Sequence, residues 1–369
     1  MPNNLTEFLH SEIKNNGAMP LGCFMSHALC HPDFGYYTTR DPFGTKGDFT
    51  TAPEISQMFG EMIGAWVADI WAQMGRPPEL SLIECGAGRG TLMSDIMHAT
   101  KAVDGFHDAV QMHIIETSCV LRGSQKAALI QYDPKWHDSL DIGFVDNPCI
   151  IIGNEFLDAL PVEQIRFTNG AWQQCFIAVD ENSSDFGFVW LPLQKEIADI
   201  APEVKKTHAI YEIAPERLRF MTLCAKLLKK NGGGMLFLDY GHKKSSDGET
   251  LQAIKNHQYT PVLKDVGNCD ITAHVDFDTL IETAHEGGLA TPPIVTQHDF
   301  LMGLGISHRA KILQNTALKK YGFEKGQEVA QSIEKDLDRL TSQKEMGTLF
   351  KVMCAYHGYN LQPAGFINE

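Results

Sequence analysis

The stretch SLIECGAGRGTLMSDIM, residues 81–97, decides the fold. An apolar run ends in the acid Glu84. Three glycines, Gly86, Gly88 and Gly90, then alternate with other residues, and a helical pattern follows to about His98. A strand that passes into a helix through a glycine turn holds a nucleotide at the carboxyl edge of an α/β sheet. The dinucleotide fingerprint G-x-G-x-x-G would put its third glycine at position 91, where this chain has Thr91. A pyrophosphate needs converging N–H groups at a helix N-terminus, whereas an acid at the strand end suits a cation. Glycines let the backbone approach a ligand with no Cβ in the way. Glu116 ends the next strand-like run, 109–117, where an acid reaches ribose hydroxyls. The plain alternative is that Glu84 and Glu116 simply end strands in solvent.

Outward from this stretch the pattern alternates. Strand-like runs at 79–84, 109–117, 149–153, 236–241 and 350–357 are separated by helical runs, among them 118–130, opened by Ser118, and 215–230. Strands joined by helices of ten or more residues require crossovers, hence an α/β fold with a mostly parallel, doubly wound sheet. Runs near 163–191 read as a hairpin inserted at the sheet's edge. Residues 242–275 are polar and read as a long functional loop or lid. At the N-terminus, Leu5, Phe8, Leu9 and Ile13 mark an amphipathic helix. Thr51 and Glu54 have capping-box spacing, with Pro53 in the first turn of a long helix that ends before Gly75. The expected organisation is a helical region, 1–75, packed on a core, 76–369, with insertions near 163–208 and 242–290.

Composition narrows the function. The 369 residues carry a formal net charge of −15, which argues against gripping a nucleic-acid backbone. The nine cysteines are scattered with no C-x-x-C, so neither a zinc cluster nor a disulfide framework is expected, and no metal. No stretch approaches the ~20 apolar residues of a membrane span. The N-terminus lacks a signal-peptide core and has acids but no Arg. The expectation is a cytoplasmic chain, or one of the mitochondrial matrix once a presequence is removed.

Past the strand at 149–153 stand Asn154, Glu155 and Asp158, on the side where open α/β sheets bind ligands. Carboxylates there can pair with a guanidinium or orient an amine and take up its proton. The alternative is that Asn154 caps the next helix while Glu155 and Asp158 offset its dipole. In FGTKGDFTTAPE, 43–54, Asp48, Thr50 and Thr51 are placed to cover a cofactor. Asp239, Tyr240 and His242 end another strand. His242 reads as a base or, more simply, as a hydrogen-bonded structural residue.

The glycine spacing behind Glu84 resembles the first motif of class I S-adenosylmethionine (SAM) methyltransferases. Together, HPDFGYY, GDFTTAPEISQMFGE, IECGAGRGTLMSDIM, IETSCVLRGSQ, GNEFLDALPVEQ, FLDYGH and DITAHVDF resemble the MidA family in order and over nearly the whole chain. Members of that family have the SAM-dependent methyltransferase fold, and its mitochondrial members assist respiratory complex I assembly as protein arginine methyltransferases. The resemblance implies a class I Rossmann-like fold and SAM as cofactor. It implies cofactor contacts at Asp48, Thr50, Glu84, Gly86, Gly88, Gly90, Glu116 and Asn154, with Asn154, Glu155 and Asp158 at the transfer cleft. The acceptor it implies is an arginine of a client protein. A SAM-binding assembly factor without essential catalysis and a small-molecule methyltransferase stand as alternatives. Cys85 departs from the family's usual Gly or Pro and is expected to turn into the sheet. Residues 250–269 are poorer in Arg and Gly than the family leads one to expect. Aromatic residues of the N-terminal helices could form a homodimer face or pack on the sheet.

Overall fold

Seven strands build the central sheet: β1 (Leu80–Cys85), β2 (Val110–Ile115), β3 (Lys135–His137), β4 (Cys149–Asn154), β5 (Gly233–His242), β6 (Val295–Thr296) and β7 (Phe350–His357). They are taken from a computed structural model that describes residue 2 and residues 4–42, 44, 50–143, 145–202 and 206–366. The strand order is β6-β7-β5-β4-β1-β2-β3, with the short Val275–Asp276 beside the end of β5. Pairings from β5 through β3 are parallel, and β7 runs antiparallel to both β5 and β6. This is the class I methyltransferase-like α/β fold.

The pleat explains why the central strands read as apolar runs. In β1, β4 and β5 one set of alternate residues (Leu80, Leu82, Ile150, Ile152, Leu236, Leu238) enters one core. The other set (Ile83, Cys85, Cys149, Ile151, Met235, Phe237) enters a second, as in a sheet covered on both faces. The first face is covered by α3 (Gln57–Gln73) and α4 (Thr91–Ala99). The second is covered by α6 (Pro215–Asn231) and α7 (Phe277–Glu286); α5 (Cys119–Leu129) follows β2. Trp66 and Ile63 of α3 are fully buried, worth about 2–3 kcal/mol each. The N-terminal aromatics Phe59, Trp66 and Trp71 therefore lie in the core rather than on a dimer face. Cys85 is buried in the sheet, as expected.

A third core joins α1 (Leu5–Asn16) and α2 (Leu21–Cys30) to two small sheets. Three readings need correction here. The 163–191 region is no hairpin on the main sheet's edge. Residues 163–168, 171–179, 186–192 and 210–213 form a separate antiparallel sheet, which Met19–Pro20 joins by pairing Met19 with Ile177. Residues 242–275 are not one long loop: 252–255, 258–260 and 270–272 make a three-stranded sheet. Strands of three or four residues, with Ala253 and Ile271 as their buried apolar residues, are too short to show a period. The capping box is also absent. Thr51 precedes a single turn, Ala52–Ile55, without a side-chain cap, and Ser56 caps α3 by accepting from Met58 N at 3.3 Å. Glu54 instead accepts from Thr91 Oγ1 at 2.5 Å. Between 276 and 349, where the sequence reading places no element, α8 (Ile306–Tyr321) and α9 (Phe323–Thr341) pack as a helical pair.

Candidate active site

Parallel register brings the strand ends into one row. Cys85 aligns with Ile115 and with Gly153, and Leu238 aligns with Asn154. Glu84, Glu116, Asn154 and Asp239 therefore share the carboxyl edge. A cavity of about 850 Å³ opens there, walled by Gly86, Gly88, Glu116, Asp158, Tyr240 and Asp270 among others. An adjoining pocket of about 40 Å³ contains Glu84, Asn154 and Thr51. Gly86, Gly88 and Glu155 line both.

The glycine turn is built for close approach. Gly86 has φ +68° and Gly88 φ +53°, left-handed conformations that favour glycine. A Cβ on Gly86 would lie 2.8 Å from the Phe156 ring. Gly90 differs. Its φ is +84°, and a Cβ there would meet Gln125 and Leu129 of α5 at 3.4 Å. It starts α4, packs on α5 and lines neither cavity. Thr50 is likewise on neither wall, where its neighbour Thr51 stands. Asp48 lies outside the described residues.

Glu84 is 2% exposed and its Oε2 has no hydrogen-bond partner. Burial, then the nearby Glu116, pushes its carboxyl up to about 8. Glu116 accepts from Ser118 N at 2.8 Å and from Gln125 Nε2 at 3.1 Å. An ionised carboxylate has about four acceptor sites, and with the Thr117 backbone N–H also directed at it, capacity remains for a ribose hydroxyl. Gln125, fully buried and not singled out from the sequence, also donates to Gly88 O at 2.8 Å and accepts from Trp136 Nε1 at 2.9 Å. It fixes the acid to the glycine turn.

The turn after β4 is held on all sides. Glu155 has φ +52°, a strained state for a non-glycine residue, of the kind that clusters at functional sites. Its Oε1 accepts from Ala52 N and from Asn154 Nδ2, both at 3.0 Å. Asn154 thus braces Glu155 rather than capping a helix, and its Oδ1 is buried without a partner. Desolvation lifts Glu155 to about 7 and pushes Asp158 above the usual carboxylate range. Asp239, fully buried, accepts from Leu157 N at 2.8 Å and Asp158 N at 3.1 Å. Arg217, 3% exposed, donates to Leu157 O, Asp158 O, Ala273 O and His274 O at 2.7–3.2 Å. It ties this turn to the small sheet. His242 stands off the wall, 4.0 Å from Asp276, and His274 lines the cavity in its place, its ring edge-on to Tyr240.

Among the charged groups on an otherwise largely apolar wall, carboxyls therefore outnumber cations. Arg219, the only Lys or Arg among the described residues lining the larger cavity, is engaged by Glu216 at 2.6 and 2.8 Å, and Arg89 beside the smaller pocket pairs with Asp41 at 2.8 Å. Among the described residues no cluster of His, Cys, Asp and Glu could hold a metal ion, and no helix is long and apolar enough to cross a membrane. The cavity's chemistry favours a ligand with positive charge and hydroxyls.

Comparisons with known proteins agree. The profile of an S-adenosyl-L-methionine-dependent methyltransferase family matches residues 62–295. The mitochondrial protein arginine methyltransferase NDUFAF7 homolog of Drosophila melanogaster is 31% identical, over 96% of this chain and 85% of its own. The mouse protein arginine methyltransferase NDUFAF7, also mitochondrial, is 32% identical over 83% and 75% respectively. A Burkholderia thailandensis crystal structure bound to S-adenosyl-homocysteine superposes with a TM-score of 0.84 at 26% identity, covering 98% of this chain and 94% of that one.

Proposed function

This chain belongs to the S-adenosyl-L-methionine-dependent methyltransferase family, and from that premise we propose that it methylates an arginine side chain of a client protein. The cofactor is SAM. The residues present fit it. Glu84 Oε2 and Asn154 Oδ1 are buried without partners and would hold the ammonium of its amino-acid head. Glu116 would accept from a ribose hydroxyl, and Gly86 and Gly88 leave room for its backbone-facing edge. When bound, SAM supplies a methyl group on a cationic sulfur. The chain's own part is positioning, which supplies much of the rate in such transfers. Glu155 and Asp158 would orient the acceptor nitrogen and take up the proton it loses. The acid-walled cavity carries this reading, since a guanidinium remains charged when desolvated. The relatives named as arginine methyltransferases support it. Those relatives are mitochondrial by name and lend no support to a cytoplasmic location. A respiratory-complex protein is the client to try first, following the resemblance.

Mass spectrometry after incubation with methyl-labelled SAM and an extract lacking the endogenous protein tests the proposal. The expected result is label on arginine of a client protein, reduced at least about tenfold by Asp158→Asn. Label on small molecules alone would reject it.

Cofactor affinity is also expected to depend on pH. A cation placed beside Glu84 lowers its carboxyl from about 8, so binding below that pH releases a proton. Affinity therefore rises with pH, by up to about tenfold per unit, and levels off above about 8. Calorimetry with SAM between pH 6 and 9, in buffers of different ionisation enthalpy, measures both. A flat profile without proton release would contradict the role given to Glu84.

A further inference from the structure

The cavity has two chemically different halves. The glycine turn, Glu116 and the β2 end form one. The other lies beyond Asp158 and is walled by parts outside the central sheet: Tyr37 after α2, and Asp270 and Thr272 of the small sheet. Two carboxylates face into this second half, and each is backed by a tyrosine. Tyr37 donates its hydroxyl to Asp270 Oδ1 at 2.8 Å. The Tyr240 hydroxyl stands close to the Asp158 carboxylate and to Thr272. Asp158 and Asp270 are each 6% exposed and Thr272 2%, so their arrangement is set by packing. The Arg217 bonds to the carbonyls of Leu157, Asp158, Ala273 and His274 fix the spacing between the two acids.

We infer that Asp158 and Asp270 form a two-sided acceptor clamp that selects a guanidinium, with Tyr240 and Tyr37 as the residues that aim the two carboxylates. This inference rests on the arginine reading above and assigns residues to it. A planar group with five N–H donors can engage carboxylates on two sides at once, which an ammonium on a flexible stem does less well. The phenol rings of Tyr37 and Tyr240 add faces on which a desolvated cation is favoured. An anionic acceptor would find no unengaged Lys or Arg on the described wall. The clamp also explains why the small sheet and the segment after α2 are joined to the site. They supply Asp270 and Tyr37, which the central sheet lacks.

The test uses two bisubstrate compounds: adenosine linked to a guanidine, and the same compound with an uncharged urea. Both share the nucleoside half, so S-adenosylhomocysteine affinity reports the fold and the cofactor site separately. In the native chain the guanidine compound is expected to bind at least about thirtyfold more tightly than the urea. In Asp270→Asn and in Asp158→Asn the ratio is expected to fall to about threefold, with S-adenosylhomocysteine affinity kept within about threefold. Tyr37→Phe should lower the ratio partway, since it leaves the carboxylate in place without its aim. A native ratio near one would overturn the arginine reading and the clamp together. A native preference that survives intact in both Asn variants would leave arginine as the acceptor and overturn the clamp.

Discussion

Gly86→Val is expected to weaken SAM binding by at least about a hundredfold, equivalent to about 2.7 kcal/mol. Two effects add. The residue sits at φ +68°, where an L side chain loses about 1–2 kcal/mol and a branched one more. Its Cβ would also lie 2.8 Å from Phe156 Cδ2. That contact forces the ring to move, and Phe156 itself lines the large cavity. Backbone strain alone is isolated by Gly170→Ala. Gly170 has φ +78° with nothing within 4 Å of a built Cβ and lies in the turn between two strands of the separate sheet. That control is expected to lose about 1 kcal/mol of stability and to keep full cofactor affinity. Calorimetry with SAM, beside urea unfolding of each variant, separates binding from folding. Undiminished affinity in Gly86→Val would contradict the placement of the nucleoside over this turn.

Arg217→Leu is expected to cost about 3–5 kcal/mol of folding stability, the usual consequence of removing one partner from a buried charge arrangement. Four carbonyls lose this donor, although Leu157 O keeps Leu160 N and Asp158 O keeps Ala273 N. Asp158 and Asp239 also lose the cation that draws their raised carboxyls back down. Arg217→Lys keeps the charge but cannot span carbonyls of two segments at once, so roughly half the loss is expected. Urea midpoints at an unchanged slope measure both. A loss below about 1 kcal/mol for the leucine variant would show that the turn after β4 does not depend on this side chain.

How much was legible follows from how each group is placed. The glycine turn, Glu84 and Glu116 can be read because each lies within a few residues of a strand end, and a parallel sheet brings strand ends together. Asn154, Glu155 and Asp158 were found by the same logic, although the sequence could not show that Asn154 braces Glu155. Thr50 and Gly90 lie off the described cavity walls. Thr51 stands on the smaller pocket where Thr50 does not, and the third glycine packs on α5. Tyr37, Gln125 and Asp270 lie in stretches that carry the resemblance, HPDFGYY, IETSCVLRGSQ and DITAHVDF, but nothing there singles them out, and Arg217 carried no signal. The Tyr37–Asp270 bond joins residues 233 positions apart, and Arg217 reaches carbonyls 56–60 positions away. Nothing local marks a long-range partner. The small sheet was hidden for another reason, because strands of three or four residues do not establish a period.

A crystal structure of this chain with S-adenosylhomocysteine tests the central claim most directly. The account predicts a ribose hydroxyl on Glu116, the ammonium beside Glu84 and Asn154, and the half between Asp158 and Asp270 left open for the acceptor. A ligand seated elsewhere, or one whose ribose turns away from Glu116, would contradict it.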